Sequence, residues 1–163
     1  MVIRGRVWKF GDEINTDLIF PHGALRVPPE QQVKMVFSDN RPGWSDLVKE
    51  GDIIIAGSNF GTGSSRPGAA LLRRLGLGGM AAESFNGLFF RNCISYGFPA
   101  IQCKGVAAIF EEGDTAEIDL LEGTITNKTK GVTIAGNRIS KSMADILMAG
   151  GIEELLRKEG YMA

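Results

Sequence analysis

Ile53-Ile-Ile-Ala-Gly-Ser-Asn-Phe-Gly-Thr-Gly-Ser-Ser-Arg66 runs an apolar segment straight into a glycine loop that carries two adjacent serines and ends on an arginine. The apolar run 53–56, bounded by Asp52 and Gly57, reads as a short buried strand. Beyond the loop Pro67 stands where a first helical residue would. Ala69, Ala70, Leu71, Leu72 and Leu75 then supply an apolar face, and Gly76 ends the helix. The order strand, glycine loop, helix brings Ser64, Ser65 and Arg66 to one point. Loop amides and the positive end of a helix dipole there suit a carboxylate or phosphate.

Three familiar glycine loops fail against this spacing. A phosphate-cradling P-loop needs Gly-x4-Gly-Lys, but Gly57 and Gly63 are one residue too far apart and no lysine follows. A dinucleotide fingerprint needs glycine at the place of Arg66, and a nucleophile elbow needs glycine at the place of Pro67. A plain turn whose serines cap the helix also fits the loop, although capping does not require Arg66.

Outward from the loop, strands and helices alternate. Residues 2–10 read as a strand entering a Gly11-Asp12 turn, 18–26 as a loop, 30–37 as a short helix and 39–43 as a breaker cluster. A buried strand over 79–83, a helix through Leu88, Phe89 and Ile94 ending before Gly97, and a strand over 99–103 follow. Residues 115–121 alternate, Glu122-Gly123 offers a hairpin turn, and 124–134 continues as β structure. Apolar residues at helical spacing mark 143–148 and 152–158, split by Gly150-Gly151. This alternation favours an α/β core.

Composition fits one domain with a real core: 163 residues, 44% apolar and 23% charged. A net charge of -1 supplies no bulk attraction for nucleic acid. No run approaches the roughly 18 apolar residues of a membrane span, and the first residues lack a signal-type apolar core, so a cytoplasmic location is expected. Cys93 and Cys103 show neither zinc nor disulfide spacing and read as buried free thiols. Two cysteines cannot hold an iron–sulfur cluster that needs at least three thiolates. The single histidine, His22, has no supporting motif for a Ser-His-Asp hydrolase, although a small hydrolase using Ser64 or Ser65 stays open on the residues alone.

Three segments together resemble one family. Asn59-Phe-Gly-Thr-Gly-Ser-Ser-Arg66, Gly11-Asp-Glu-Ile-Asn-Thr-Asp17 upstream, and Ala82-Glu-Ser-Phe85 followed by Phe89-Phe-Arg-Asn92 downstream are similar to the small-subunit family of 3-isopropylmalate dehydratase. That family corresponds to the swivelling domain of aconitase, and the resemblance runs from about residue 2 to residue 161. It implies an α/β fold of the swivelling β/β/α type, like aconitase domain 4, as a single domain over 1–163. It also implies a hydro-lyase small subunit, active only with a large subunit in a heterodimer or heterotetramer. That partner carries the 4Fe-4S cluster, and no metal is bound by this chain.

The resemblance assigns roles as well. The reaction removes water from a 2-hydroxy acid and returns it to the neighbouring carbon. Ser64 is the catalytic base, acting as an alkoxide, while Ser65 and Arg66 bind the substrate carboxylate with the loop Gly61, Thr62 and Gly63. A serine alkoxide needs a closed site surrounded by positive potential. An arginine fork suits a carboxylate because it donates two parallel hydrogen bonds. An ion pair with a core acid is the plainer role for Arg66. The loop His22, Gly23, Ala24, Leu25, Arg26 and Val27 aligns with the segment that reads the substituent on the substrate's third carbon. Arg26 there argues for a polar or anionic substituent unless it is simply solvated.

Two departures bear on substrate. Gly23-Ala24 stands in place of the family's Arg-Tyr, and Pro67-Gly68 replaces a continuing glutamate. Isopropylmalate leads as substrate and leucine biosynthesis as pathway. Homoaconitase-like, dimethylmalate-type or methylmalate-type dehydratases remain alternatives, as does a non-catalytic anion-binding domain of the same fold.

Overall fold

The computed structural model describes residues 1–63 and 66–163. The first half of the chain holds β1 (Val2–Lys9), α1 (Thr16–Ile19), a 3-10 turn (His22–Arg26), α2 (Pro29–Gln32), a second 3-10 turn (Val33–Met35), α3 (Trp44–Leu47) and β2 (Ile53–Ala56). Next come α4 (Gly68–Leu75), β3 (Gly79–Ala82), α5 (Gly87–Ser95), β4 (Ala100–Gln102) and α6 (Val106–Ile109). The chain finishes with β5 (Thr115–Asp119), β6 (Thr124–Asn127), β7 (Val132–Ala135), α7 (Lys141–Ala149) and α8 (Ile152–Lys158).

The strands form one mixed seven-stranded sheet in the order β4-β3-β2-β1-β5-β6-β7. β1 to β4 run parallel, with Val7 beside Ile53, Ile53 beside Gly79 and Met80 beside Ala100. β5 turns antiparallel against β1, with Ile3 opposite Ile118, and β6 and β7 continue the meander. This is the α/β class that the alternation of elements predicts.

Side-chain alternation explains two cores, one on each face. Every residue of β2 and β3 is buried, as expected of parallel strands covered on both sides. Ile54 and Ala56 pack with Met80, Leu71 and Leu72 of α4, Phe89 of α5 and an aromatic group of Trp8, Phe10, Phe37 and Trp44. Ile53 and Ile55 point the other way. They join Val7, Ile101, Val106, Ile118, Ile125 and Leu147 of α7. β5 buries only alternate residues, and the edge strand β7 has none buried.

Four local expectations change. The predicted loop over 18–26 holds α1 and a 3-10 turn, because Asn15 caps α1 by accepting from the Asp17 amide. The predicted helix 30–37 breaks into α2 and a 3-10 turn. Phe37 adopts φ 57°, donates its amide to the Leu18 carbonyl and stacks on Phe10 at 4.3 Å, so burial of the ring overrides the helical path. The predicted β segment 124–134 divides into β6 and β7 at a turn, where Gly131 donates to the Asn127 carbonyl and Lys130 to the Asn127 side chain. Pro67 is the residue before α4 rather than its first. The sequence reading also omits α3 and α6.

Candidate active site

β1 and β2 run parallel and end side by side, so the loops after them meet at the carboxyl ends of these central strands. The three motif segments interlock there. Glu13 N donates to the Ser58 carbonyl, Gly61 N to the Ile14 carbonyl at 2.8 Å, and Thr16 N to the Thr62 carbonyl at 2.7 Å. From the third segment Ser84 receives Phe60 N on its carbonyl and Asn59 N on its hydroxyl. Asn86 N returns to the Phe60 carbonyl. Isolated bridges pair Asn15 with Thr62 and Phe60 with Phe85. The loops thus extend the sheet beyond its regular strands.

The close approach dictates the glycines. A side chain at Gly61 would meet the Phe89 ring at 2.2 Å, and one at Gly63 would meet the Asn15 amide at 2.6 Å; both residues have positive φ. Two non-glycine residues at the same junction are also left-handed, Glu13 at φ 55° and Asn59 at φ 57°. Such backbone conformations cost energy and cluster at functional sites. Here the Asn59 amide donates to the Glu13 carboxylate at 2.9 Å and ties the two together.

Arg66 closes this end of the sheet. Its Nη1 donates to the Phe20 carbonyl at 3.1 Å and lies 2.8 Å from the Asp17 carboxylate, while Nη2 lies 2.7 Å from His22 Nδ1. The Arg66 side chain is 17% exposed and that of Asp17 55% exposed. The arginine therefore sits in a shallow rim with an acid that is not part of the core. Gly68, at the start of α4, packs its missing side chain position 3.1 Å from Ile19 of α1, which seats the helix start against the Asn-Thr-Asp segment.

Ser64 and Ser65 lie outside the described residues. Of the other loop candidates, Gly61 and Thr62 both send their amides to the Ile14 carbonyl, and Gly63 is exposed beside Asn15. In the following segment His22 reaches Arg66, Gly23 lies against Met35, and Ala24 is buried with its carbonyl accepting from Gln32. Leu25 is 56% exposed, Arg26 is exposed and makes no ion pair among the described residues, and Val27 is half-buried. Asp17 and the Phe20 carbonyl have no assigned role in the sequence reading. Asp17 stands in a motif, but its distance from Arg66 along the chain hides the contact from any spacing rule.

The thiols are both buried and free. Cys93 packs on the α4 side of the sheet and Cys103 on the α7 side. Burial pushes the Cys93 thiol far above its ordinary value, and burial with the nearby Glu83 charge pushes Cys103 up to about 11. Among the described residues no three His, Cys, Asp or Glu side chains come together as a metal site. Thiols split between two cores do not fit an iron–sulfur cluster.

Known proteins are similar to this chain in sequence and architecture. Residues 24–105 match the Aconitase C-terminal domain family. The "Isopropylmalate/citramalate isomerase small subunit" of Methanocaldococcus jannaschii is 42% identical over 160 residues, covering 97% of this chain and 95% of its own. The "3-isopropylmalate dehydratase small subunit 1" of Thermotoga maritima is 43% identical over 162 residues, with 98% and 97% covered. A crystal structure of 3-isopropylmalate dehydratase from M. jannaschii superposes with a TM-score of 0.89 at 36% identity, covering 98% of this chain and 95% of that one.

Proposed function

The chain belongs to the Aconitase C-terminal domain family, among the small subunits of 3-isopropylmalate dehydratase, and from that premise we propose how its residues serve the reaction. As a small subunit of this hydro-lyase it works with a large subunit in leucine biosynthesis. The swivelling domain, taken as one unit over 1–163, brings the loop 61–66 against the partner's half of the active site. The partner carries the 4Fe-4S cluster, in a heterodimer or heterotetramer. No helix among the described residues is long and apolar enough to cross a membrane. A cytoplasmic location is part of the proposal, as the compartment of the amino-acid biosynthesis it would serve.

This chain's own contribution is the proton step. Ser64, as an alkoxide, takes the proton from the carbon next to a substrate carboxylate, and the electron pair left behind moves into that carboxylate. Ser65 and Arg66 hold the carboxylate as its negative charge grows. Positive charge fixed in place before the reaction stabilises that state more than the ground state. Gly61, Thr62 and Gly63 shape the loop that presents these groups. The observation that carries the reading is Arg66, whose guanidinium is held at the end of the sheet where all three motif segments converge.

3-Isopropylmalate is the leading substrate. A methylmalate-type substrate is the second reading, favoured by the M. jannaschii relative whose name covers both isopropylmalate and citramalate. Anaerobic mixing of the chain with a cluster-loaded large subunit, followed by ultraviolet detection of the unsaturated acid, tests the proposal. Activity is expected for the mixture and not for either subunit alone. Turnover by this chain without its partner would sink it, and comparison of the two malates ranks the substrates.

A further inference from the structure

Arginine carries five N–H donors. In Arg66, Nη1 faces the Phe20 carbonyl and the Asp17 carboxylate, and Nη2 faces His22 Nδ1. The Nε–H and one Nη2 hydrogen take no acceptor among the described residues. Nε and Nη2 form one edge of the planar group, and the spacing of that edge matches the two oxygens of a carboxylate.

The guanidinium does not deprotonate, so it donates in the contact with His22 and Nδ1 accepts. With Nδ1 as the acceptor, the ring proton lies on Nε2. Contacts at Nη1 alone would let the guanidinium pivot about that atom. The His22 contact adds a second point of attachment and fixes the plane. We infer that His22 is a positioning residue, which orients the Nε–Nη2 edge of Arg66 for the substrate carboxylate. The inference rests on the reading of Arg66 as the carboxylate-binding residue. It also moves His22 from the substituent-reading loop to the carboxylate end of the site.

The reconstituted two-subunit enzyme provides the test, through steady-state kinetics on 3-isopropylmalate with wild type, Arg66→Lys, His22→Ala and His22→Asn. Loss of one hydrogen bond in His22→Ala should raise KM roughly 3- to 10-fold and leave kcat within about twofold. Asparagine can accept from Nη2 through Oδ1, so His22→Asn should restore KM to within about twofold of wild type. An unchanged KM in His22→Ala, with Arg66→Lys impaired, overturns the role of His22 and spares the carboxylate reading. Equal losses in the alanine and asparagine variants also overturn it, since they would reflect the loop rather than the acceptor. An unimpaired Arg66→Lys or an inactive wild-type complex overturns the carboxylate reading and His22 with it.

Discussion

Arg66 is paired with a carboxylate of its own chain, Asp17, before any substrate arrives. Under the proposed mechanism a substrate carboxylate must be bound by the edge that Asp17 leaves open, so the planar fork matters more than the charge alone. Arg66→Lys is expected to raise KM and lower kcat together, because a point charge cannot hold the Phe20 carbonyl, His22 and a substrate at once. Ser64→Ala should behave differently. Removal of a base lowers kcat by about 10²- to 10⁴-fold with little change in KM, and near-normal turnover would refute the assignment. Arg26 is exposed and without an ion pair among the described residues. Arg26→Val should therefore change kcat/KM for 3-isopropylmalate by less than about threefold, whereas a larger loss would place its guanidinium against the substrate.

At the level of elements, Glu83 shows how a motif residue can serve the fold rather than the chemistry. It leaves the end of β3, and its two carboxylate oxygens accept from Gly105 N and Ala107 N, each at 2.7 Å. Gly105 is the N-cap of α6 and has no side chain to cap it, and Ala107 lies in the first turn, so both amides need an outside acceptor. The helix is therefore capped by the residue that follows β3, the strand next to β4. Glu83→Ala leaves two amides without their acceptor and should lower unfolding free energy by about 2 to 3 kcal/mol in urea titration. A loss below about 0.5 kcal/mol would mean that water replaces the carboxylate without cost.

For the whole molecule, Asp114 joins the two halves of the sheet. Its carboxylate accepts from Glu111 N and from the buried Asn127 side chain of β6, while its backbone carbonyl accepts from Val7 of β1. The Glu111 amide chiefly, with Asn127, Lys130 and Lys9, holds this carboxyl below the usual range against the opposing effect of burial. At Glu112 the Arg41 hydrogen bond is the leading cause of a similar lowering. A carboxyl lowered in the folded state stabilises the fold while ionised. That contribution is complete above the unfolded value of about 4 and disappears as pH falls through the folded one. The urea midpoint should therefore fall on acidification below about pH 4. Asp114→Asn should be less stable at neutral pH and show a shallower acid decline. An unchanged decline would remove Asp114 from its cause.

Much of this was legible along the chain. The buried run 53–56 with its glycine loop, the alternating 115–121 and the capped, apolar-striped helices depend on turn chemistry and periodicity that act within a few residues. The same local signals, in three linked motifs, sufficed for the family. Only the tertiary structure decided that Phe37 leaves its helix to stack on Phe10, that Glu83 caps α6 from another strand, and that Asp17 and His22 grip Arg66. His22 and Arg66 stand 44 residues apart, and nothing in their spacing links them. They meet because β1 and β2 pair in parallel and end together, and strand pairing is set by burial on both faces of the sheet rather than by any short segment.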